Sequence, residues 1–249
     1  MPVKCLILAA GYGTRMQALT GDVPKALIPI GASTVLDLLL GRVDELDVSS
    51  VLVTNRKYHQ QFLDWRARSR RPITILDDGS ETVEQRLGAV GDIQFALERI
   101  GFDEDLLIVA ADSLLEFSLR PMADAFRAHG QGQLAVWHNP DLADQQRRGV
   151  VEVDGEGRVT RFTEKPRRPA GHLAAAPLYL LPAALLDEPA RYLAAGGNPD
   201  APGYLMAHLA KYYRLRTFHL PGPIIDVGNP ESYARALRRH GGGELETNC

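Results

Sequence analysis

The chain has 249 residues, 45% of them hydrophobic, and can therefore bury one sizeable core. Its formal net charge of -3 and isoelectric point near 6.2 provide no general basic field, which argues against a nucleic-acid-binding protein. The two cysteines, Cys5 and Cys249, form neither a disulfide framework nor a metal-binding set, as is typical of a reducing compartment. With no secretion signal and no run long enough to span a bilayer, the sequence predicts a soluble, cytoplasmic protein without a membrane partner.

Apolar runs and helical patterns alternate along the chain, which predicts an α/β fold. The first apolar run covers Val3 to Leu8, and Ser33 or Thr34 is a candidate N-cap for a helix that continues to about Leu46. Buried strands are predicted at Ser50 to Thr54 and at Asp105 to Asp112. One domain over residues 1–240 is expected, and residues 241–249 are predicted to be a disordered tail.

The stretch from Leu8 to Ile30, LAAGYGTRMQALTGDVPKALIPI, has a layout that suits a triphosphate. Gly11 and Gly13 allow the backbone to approach phosphate oxygens and to aim successive N–H groups at them. Arg15 and Lys25 add positive charge where a polyphosphate concentrates negative charge. On the glycines alone, a simple tight turn after the first strand is an equally good interpretation.

Two commoner nucleotide-binding motifs are excluded in this stretch. A P-loop requires lysine directly after its last glycine, whereas Thr14 follows Gly13. A dinucleotide-binding fingerprint requires a third glycine near Met16. Neither a Walker ATPase nor a nicotinamide-binding Rossmann protein is therefore expected.

The whole string A-A-G-x-G-T-R-M followed by P-K-A-L-I-P-I resembles the motif of the sugar-1-phosphate nucleotidylyltransferases, the NDP-sugar pyrophosphorylases. The resemblance implies a short, single-domain form with a Rossmann-like three-layer sandwich, a mostly parallel central sheet and a small β-hairpin region over the sugar pocket. It implies catalytic roles for Arg15 and Lys25. The residues that would bind the nucleotide in this loop are Ala9, Ala10, Gly11, Gly13 and Thr14.

Two aspartates are candidate metal ligands. Asp112 ends a continuous apolar run, and ligands of open parallel sheets lie beyond the carboxyl ends of the strands, although an aspartate there is also a common helix cap. Asp226 stands in I-D-V-G-N-P-E-S-Y, which resembles the second metal motif of the same family. The resemblance implies that both carboxylates hold Mg²⁺, a cation that prefers hard oxygen ligands. The same motif favours a heptose- or hexose-1-phosphate guanylyltransferase.

A predicted β-hairpin from Gly149 to Phe162 leads into Glu164-Lys165-Pro166. This stretch resembles the family motif G-V-V-x-x-D-x-x-G-x-V…F-x-E-K-P. By resemblance, Gly149 lines the sugar-phosphate pocket, Glu164 binds a sugar hydroxyl and Lys165 meets the sugar's phosphate. The resemblance also places Gly88 against the nucleobase and sugar, where a close-packed helix entry is an equally good interpretation.

The chain departs from the family pattern at Ala174 to Pro177, before a strand predicted at Leu178 to Leu181. An asparagine that normally bonds the sugar is missing there, and alanine offers no side-chain donor or acceptor. The identity of the acceptor is therefore in doubt more than the reaction.

Three functions remain open at this point. The resemblance implies Mg²⁺-dependent transfer of a nucleoside monophosphate from an NTP to a sugar 1-phosphate, with release of pyrophosphate. The alternatives are a cytidylyltransferase for phosphocholine or another alcohol phosphate, and a non-catalytic nucleotide- or sugar-binding protein. The oligomeric state is open, with a homodimer possible.

Overall fold

The computed structural model describes residues 3–14, 16–101, 103–222 and 224–240. A mixed, mostly parallel sheet occupies the centre, with helices on both faces, which confirms the predicted fold class. The strands are β1 Val3–Leu8, β2 Pro29–Ile30, β3 Ser33–Thr34, β4 Ser49–Thr54, β5 Ile73–Asp77, β6 Asp105–Ala110, β7 Ser113–Leu114, β8 Gly132–His138, β9 Gly149–Val153, β10 Val159–Glu164, β11 Leu173–Leu181, β12 Leu215–His219 and β13 Ile225–Asp226. The α-helices are α1 Gln17–Thr20, α2 Val35–Val43, α3 Arg56–Ser69, α4 Ala89–Ile100, α5 Arg120–His129, α6 Leu142–Gln145, α7 Glu188–Ala194, α8 Pro202–Tyr212 and α9 Pro230–His240.

The main sheet has the order β10-β9-β11-β6-β1-β4-β5, with β8 paired to β11 and β12 paired to β8. The neighbours β5, β4, β1 and β6 run parallel, so their carboxyl ends lie at one edge. The hairpin β9–β10 extends the sheet in the antiparallel sense. The β-hairpin predicted from the sequence is therefore part of the sheet itself.

Two hydrophobic layers hold the helices on the sheet. Along β1, Ile7 packs into the cluster shared with α2, α3 and α5, whereas Leu6 packs into the cluster shared with α4 and α8. This alternation follows from the two-residue period of a strand. Thr34 caps α2, because its hydroxyl accepts from the Asp37 N–H while the Asp37 carboxylate accepts from the Thr34 N–H.

Two local expectations are corrected. Ala174 to Pro177 lie inside β11 and not before it, since Ala174 pairs with Trp137 on one side and with Val150 on the other. Their low β-propensity had hidden a strand that is fixed by both neighbours. The sequence also predicts one helix from Pro182 to Leu193, whereas the structure has a 3₁₀ turn over Ala183–Leu185 followed by α7, which has Pro189 in its first turn.

None of the helices in the described ranges combines the length and the apolar character that a membrane span needs. The expected tail, residues 241–249, lies outside the described residues.

Candidate active site

The predicted phosphate loop connects the carboxyl end of β1 to α1. Gly13 has a φ of +62°, a conformation that glycine adopts without strain, and its carbonyl accepts from the Met16 N–H at 2.7 Å. A Cβ at Gly13 would lie 3.3 Å from Cγ of Lys25, so the lysine stem runs closely along the loop. Arg15, the other predicted catalytic cation, lies outside the described residues.

The loop lines a cavity of about 370 Å³ at the carboxyl edge of the parallel strands. Lys25 and Asp112 contribute to its wall, as does Gly88 at the start of α4. The predicted nucleotide-binding residues of the loop all line it as well: Ala9, Ala10, Gly11, Gly13 and Thr14. The structure thus brings the described members of this group around one space.

A group of side chains that the sequence analysis did not identify braces the loop from behind. Asn55 caps α3 by accepting from the Tyr58 N–H, and its Nδ2 donates to the Ala10 carbonyl at 2.9 Å. The Tyr58 hydroxyl donates to the Tyr12 carbonyl, and the Tyr12 hydroxyl donates to Ser80 Oγ. Two main-chain carbonyls of the loop are therefore held by buried donors, which keeps the loop's N–H groups oriented.

Lys25 and Asp112 form a partly buried ion pair, with Nζ 3.0 Å from Oδ2. Lys25 begins a 3₁₀ turn after Pro24, and Asp112 follows the carboxyl end of β6. The pair joins the phosphate loop to the centre of the sheet.

Asp226 lies beside Asp112 because a small antiparallel sheet joins the two segments. In the pairing of β7 with β13, Asp226 is opposite Ser113, and the Val227 N–H donates to the Asp112 carbonyl at 2.9 Å. Met16, packed with β7 and β13 in a third hydrophobic cluster, anchors the phosphate loop to the same sheet. Both predicted metal ligands therefore meet at one point.

The Asp226 carboxylate is in an unfavourable environment for its charge. Burial raises its pKa to about 6, and the neighbouring Asp112 carboxylate also raises it, whereas Lys25 and Arg148 lower it. Its Oδ1 is buried and accepts no hydrogen bond from any described residue. A Cβ at Gly228 would lie 2.9 Å from that oxygen, so the backbone closes tightly behind it.

These two carboxylates fit a hard divalent cation. An unsatisfied buried oxygen next to a second carboxylate is a donor set that a cation would complete while removing their repulsion. No group of three or more His, Cys, Asp or Glu residues that could hold a metal occurs among the described residues. Further ligands would thus come from phosphate oxygens and water.

The predicted acceptor residues lie where β10 meets α8. Glu164 is opposite Gly149 in the hairpin register, and a Cβ at Gly149 would lie 2.3 Å from the Phe162 ring. A Cβ at Gly203 would lie 1.9 Å from Oε2 of Glu164. Glycine at both positions therefore lets the hairpin and α8 close on the carboxylate, and burial raises the pKa of Glu164.

Lys165 has a left-handed backbone with φ of +47°, and its N–H donates to the Arg148 carbonyl at 2.9 Å. Its Nζ lies 3.8 Å from Oδ2 of Asp200. The same aspartate accepts from Arg86 at 3.0 Å and lines the 370 Å³ cavity. Asp200, which the sequence analysis missed, thus connects the nucleotide and acceptor sides.

Gly88 combines a packing role with its place in the cavity wall. It has a φ of +78°, and a Cβ there would lie 2.5 Å from the Pro199 carbonyl oxygen. The Val90 N–H donates to the same carbonyl at 2.9 Å. The close packing of Gly88 against Pro199 is by itself sufficient to require glycine here. A nucleobase contact at Gly88 stays a prediction.

Asp92 is a second buried carboxyl at the cavity, and it was not anticipated from the sequence. Burial, together with the neighbouring Asp78 carboxylate, raises its pKa to about 8. Asp78 in turn accepts from Ser80, whose hydroxyl meets Tyr12 of the phosphate loop. No local motif marks such a pair, because α4 and the loop after β5 bring it together.

We expect Asp92→Asn to raise the free energy of unfolding by roughly 1 to 3 kcal/mol at pH 8.5 and by much less at pH 5.5. The pKa of Asp92 is higher in the folded protein than in the unfolded chain, so its burial destabilises the protein increasingly as pH rises from about 4 to about 8. Urea unfolding at the two pH values measures this, with the exposed Asp64→Asn as control. An equal gain at both pH values would contradict the assignment.

The structure thus places the glycine loop, Lys25 and the paired carboxylates together at the carboxyl edge of a mostly parallel sheet, as the sequence predicts for a nucleotide-dependent transferase. Residues 4–240 match the family model described as nucleotidyl transferase. The chain therefore belongs to the nucleotidyl transferase family, and the family assignment made from the sequence is confirmed.

Relatives and solved structures agree with this membership. A putative mannose-1-phosphate guanyltransferase from Sulfolobus acidocaldarius is 25% identical over 94% of this chain and 62% of its own length. Mannose-1-phosphate guanylyltransferase 1 from Arabidopsis thaliana is 26% identical over 95% of this chain and 64% of its own length. The chain thus spans less than two thirds of these relatives. A structure of UDP-glucose pyrophosphorylase complexed with UDP-glucose has a similar fold, with a TM-score of 0.80 and 22% identity over 96% of this chain and 98% of that one.

Proposed function

We propose that this chain transfers a nucleoside monophosphate from an NTP to a sugar 1-phosphate, releasing pyrophosphate, with Mg²⁺ as cofactor. The observation that carries the proposal is the convergence of Lys25, Asp112 and Asp226 beside the glycine loop. A 3₁₀ turn places the Lys25 ammonium there, and the ends of β6 and β13 place the Asp112 and Asp226 carboxylates. Family membership and the names of the relatives support the same reaction class.

The nucleotide half of the site consists of the cavity around the loop. The N–H groups from Gly11 to Thr14 would bind the β and γ phosphates, and Arg15 stays a predicted contact to them. Lys25 would meet the α-phosphate, where negative charge increases as the pyrophosphate departs. Gly88 and the docked loop behind it would bound the base and ribose.

The acceptor half lies along the hairpin. Lys165 would bind the acceptor's phosphate, Glu164 would accept a hydrogen bond from a sugar hydroxyl, and Gly149 would leave room for the ring. The ion pair of Lys165 with Asp200 is long and half exposed, so the ammonium can exchange this partner for a phosphate at little cost.

The chemistry requires positioning more than proton transfer. An oxygen of the acceptor phosphate attacks the α-phosphorus, the new oxygen–phosphorus bond forms, and the bond to the bridging oxygen of pyrophosphate breaks with its electron pair. The attacking oxygen is already anionic, so no side chain has to act as general base. Asp112 and Asp226 would hold Mg²⁺, which when bound neutralises phosphate charge.

Several finer assignments stay predictions: the single domain over residues 1–240, the cytoplasmic location and the homodimer. Two relatives are named as enzymes that transfer a guanylyl group to mannose 1-phosphate, so GTP with mannose 1-phosphate is the first substrate pair to examine. The identity of the acceptor sugar stays open, because Ala174 to Ala176 of β11 offer it no side-chain donor or acceptor.

The test is pyrophosphate release from a matrix of the five common NTPs with a panel of sugar 1-phosphates and with phosphocholine. Release is expected for at least one sugar 1-phosphate, to require both substrates, and to stop with EDTA. Release with phosphocholine and an NTP, but with none of the sugar 1-phosphates, would support the cytidylyltransferase hypothesis instead. NTP binding without release for any acceptor would show a binding protein.

A further inference from the structure

Another polar cavity, of about 560 Å³, is lined by Asp226, whose neighbour Asp112 lines the nucleotide cavity. It is bounded by the end of β8, by α6 and by α9, and Asp226 is in its wall. Its arginines come from two elements, Arg147 and Arg148 after α6 and Arg235 and Arg238 on α9. Neither the sequence motifs nor the proposed mechanism uses these arginines.

Two of these arginines have side chains without a partner in the described part of the chain. The guanidinium groups of Arg235 and Arg238, one helical turn apart on α9, make no hydrogen bond or ion pair there. The Arg147 side chain donates to the Ala143 main-chain carbonyl at 3.4 Å. Exposed arginines next to carboxylates usually pair with them, so this cavity has unused donors.

Two acidic residues of the same cavity, Asp141 and Asp144, already accept hydrogen bonds. Asp144 accepts from Arg148 at 2.6 Å and from Asn139 at 2.8 Å. Asp141 caps α6 by accepting from two main-chain N–H groups. Glu231 lies in the first turn of α9, where the helix dipole favours an acidic side chain. The formal charges of the cavity are balanced, and the two arginines of α9 keep guanidinium N–H groups without a partner among the described residues.

The start of α9 is not an anion site in its own right. Ser232 donates its N–H to Asn229 Oδ1, and its Oγ accepts from the N–H groups of Gly228 and Asn229. The arginine side chains are the remaining donors, and guanidinium groups bind carboxylate and phosphate through paired N–H bonds.

Arg148 places this cavity on the acceptor side. Its carbonyl accepts from the Lys165 N–H, it directly precedes Gly149, and it lines this cavity together with Asp226. Its guanidinium lies 5.2 Å from the centre of the Trp137 ring and is thereby held in place. The far end of an acceptor bound between Lys165 and Asp226 would therefore pass Arg148 and enter the cavity that the other arginines line.

We propose that this cavity binds a second anionic group of the acceptor, so that the preferred substrates are sugar 1-phosphates that also carry a carboxylate or a further phosphate. This inference rests on the proposed function, whose acceptor it specifies. Charge recognition by these arginines would compensate for the polar contact that the alanines of β11 cannot make.

The test compares three acceptors that differ at one carbon: glucose 1-phosphate, glucuronic acid 1-phosphate and glucose 1,6-bisphosphate. The ratio of kcat/KM for either doubly anionic acceptor to that for glucose 1-phosphate is expected to exceed one. In the double variant Arg235→Ala and Arg238→Ala, this ratio should fall by about tenfold or more, as expected for lost charge-assisted bonds. If the ratio falls more for glucuronic acid 1-phosphate, the second anionic group is a carboxylate. If it falls more for glucose 1,6-bisphosphate, the group is a phosphate.

Arg239→Ala is the matched control, since it removes a charge from the same helix at a residue that pairs with Glu116 outside the cavity. Calorimetric titration of the three acceptors into wild type and the double variant provides a readout without turnover. Selective binding of the doubly anionic sugars without pyrophosphate release would overturn the proposed function and support this cavity. Equal ratios in all proteins, or an equal loss for glucose 1-phosphate in the double variant, would overturn the inference.

Discussion

Asp226→Asn is expected to reduce pyrophosphate release by at least about a hundredfold without lowering the free energy of unfolding. Asparagine preserves the shape but removes one of the two charges that would hold Mg²⁺. It also removes the repulsion between two neighbouring carboxylates, one of which has a buried oxygen without a partner among the described residues. Activity and stability should therefore change independently, which a merely unfolded variant could not show.

The measurement combines a pyrophosphate assay with thermal unfolding at increasing Mg²⁺. Mg²⁺ should raise the melting temperature of wild type and have a much smaller effect on the Asp226→Asn variant, because binding to the folded state is what stabilises it. Asp124→Asn, an exposed carboxylate on α5 that pairs with Arg127, is the control. Turnover within threefold of wild type would remove Asp226 from the site.

The second large effect is expected for Lys25→Met, which keeps the length of the side chain and removes its charge. We expect kcat/KM to fall roughly a hundred- to a thousandfold, because a preorganised cation at the α-phosphate acts most strongly in the transition state. Without Mg²⁺, the variant should also lose roughly 1 kcal/mol of stability, since Asp112 loses its partner at 3.0 Å.

Mg²⁺ should recover most of that stability in Lys25→Met but none of the rate. Initial-rate kinetics and urea unfolding with and without Mg²⁺ separate the two consequences. Lys57→Met is the matched control, because Lys57 pairs with the exposed Asp22 away from the cavity. If both lysine variants lost rate equally, a general charge effect would replace the catalytic role of Lys25.

The parts of the site that could be predicted from the sequence are those that lie within one continuous motif. The phosphate loop, Asp112 and Asp226 each stand at the end of a strand or in a short ordered string, and the structure places the described ones together. Glu164 and Lys165 follow a hairpin whose period is visible in the residues. Local sequence therefore predicts where these residues lie, whereas their roles stay predictions.

The missed parts depend on contacts between distant segments. Asp200 meets Arg86 and Lys165 through the docking of one loop on α4, and Asp92 meets Asp78 across two elements. The strand through Ala174 was hidden because alanines have little β-propensity, while pairing on both sides decided its conformation. No period or short motif encodes such encounters.

The small β7–β13 sheet also bears on when the site can form. Its two strands are separated by nearly half of the chain, and the loop they close has a high entropic cost that only late tertiary contacts offset. During synthesis, the phosphate loop and Asp112 emerge long before Asp226 does. Because the pairing of β13 with β7 brings Asp226 beside Asp112, the two carboxylates meet only after the segment around β13 has been synthesised, when the phosphate loop and Asp112 have long been present.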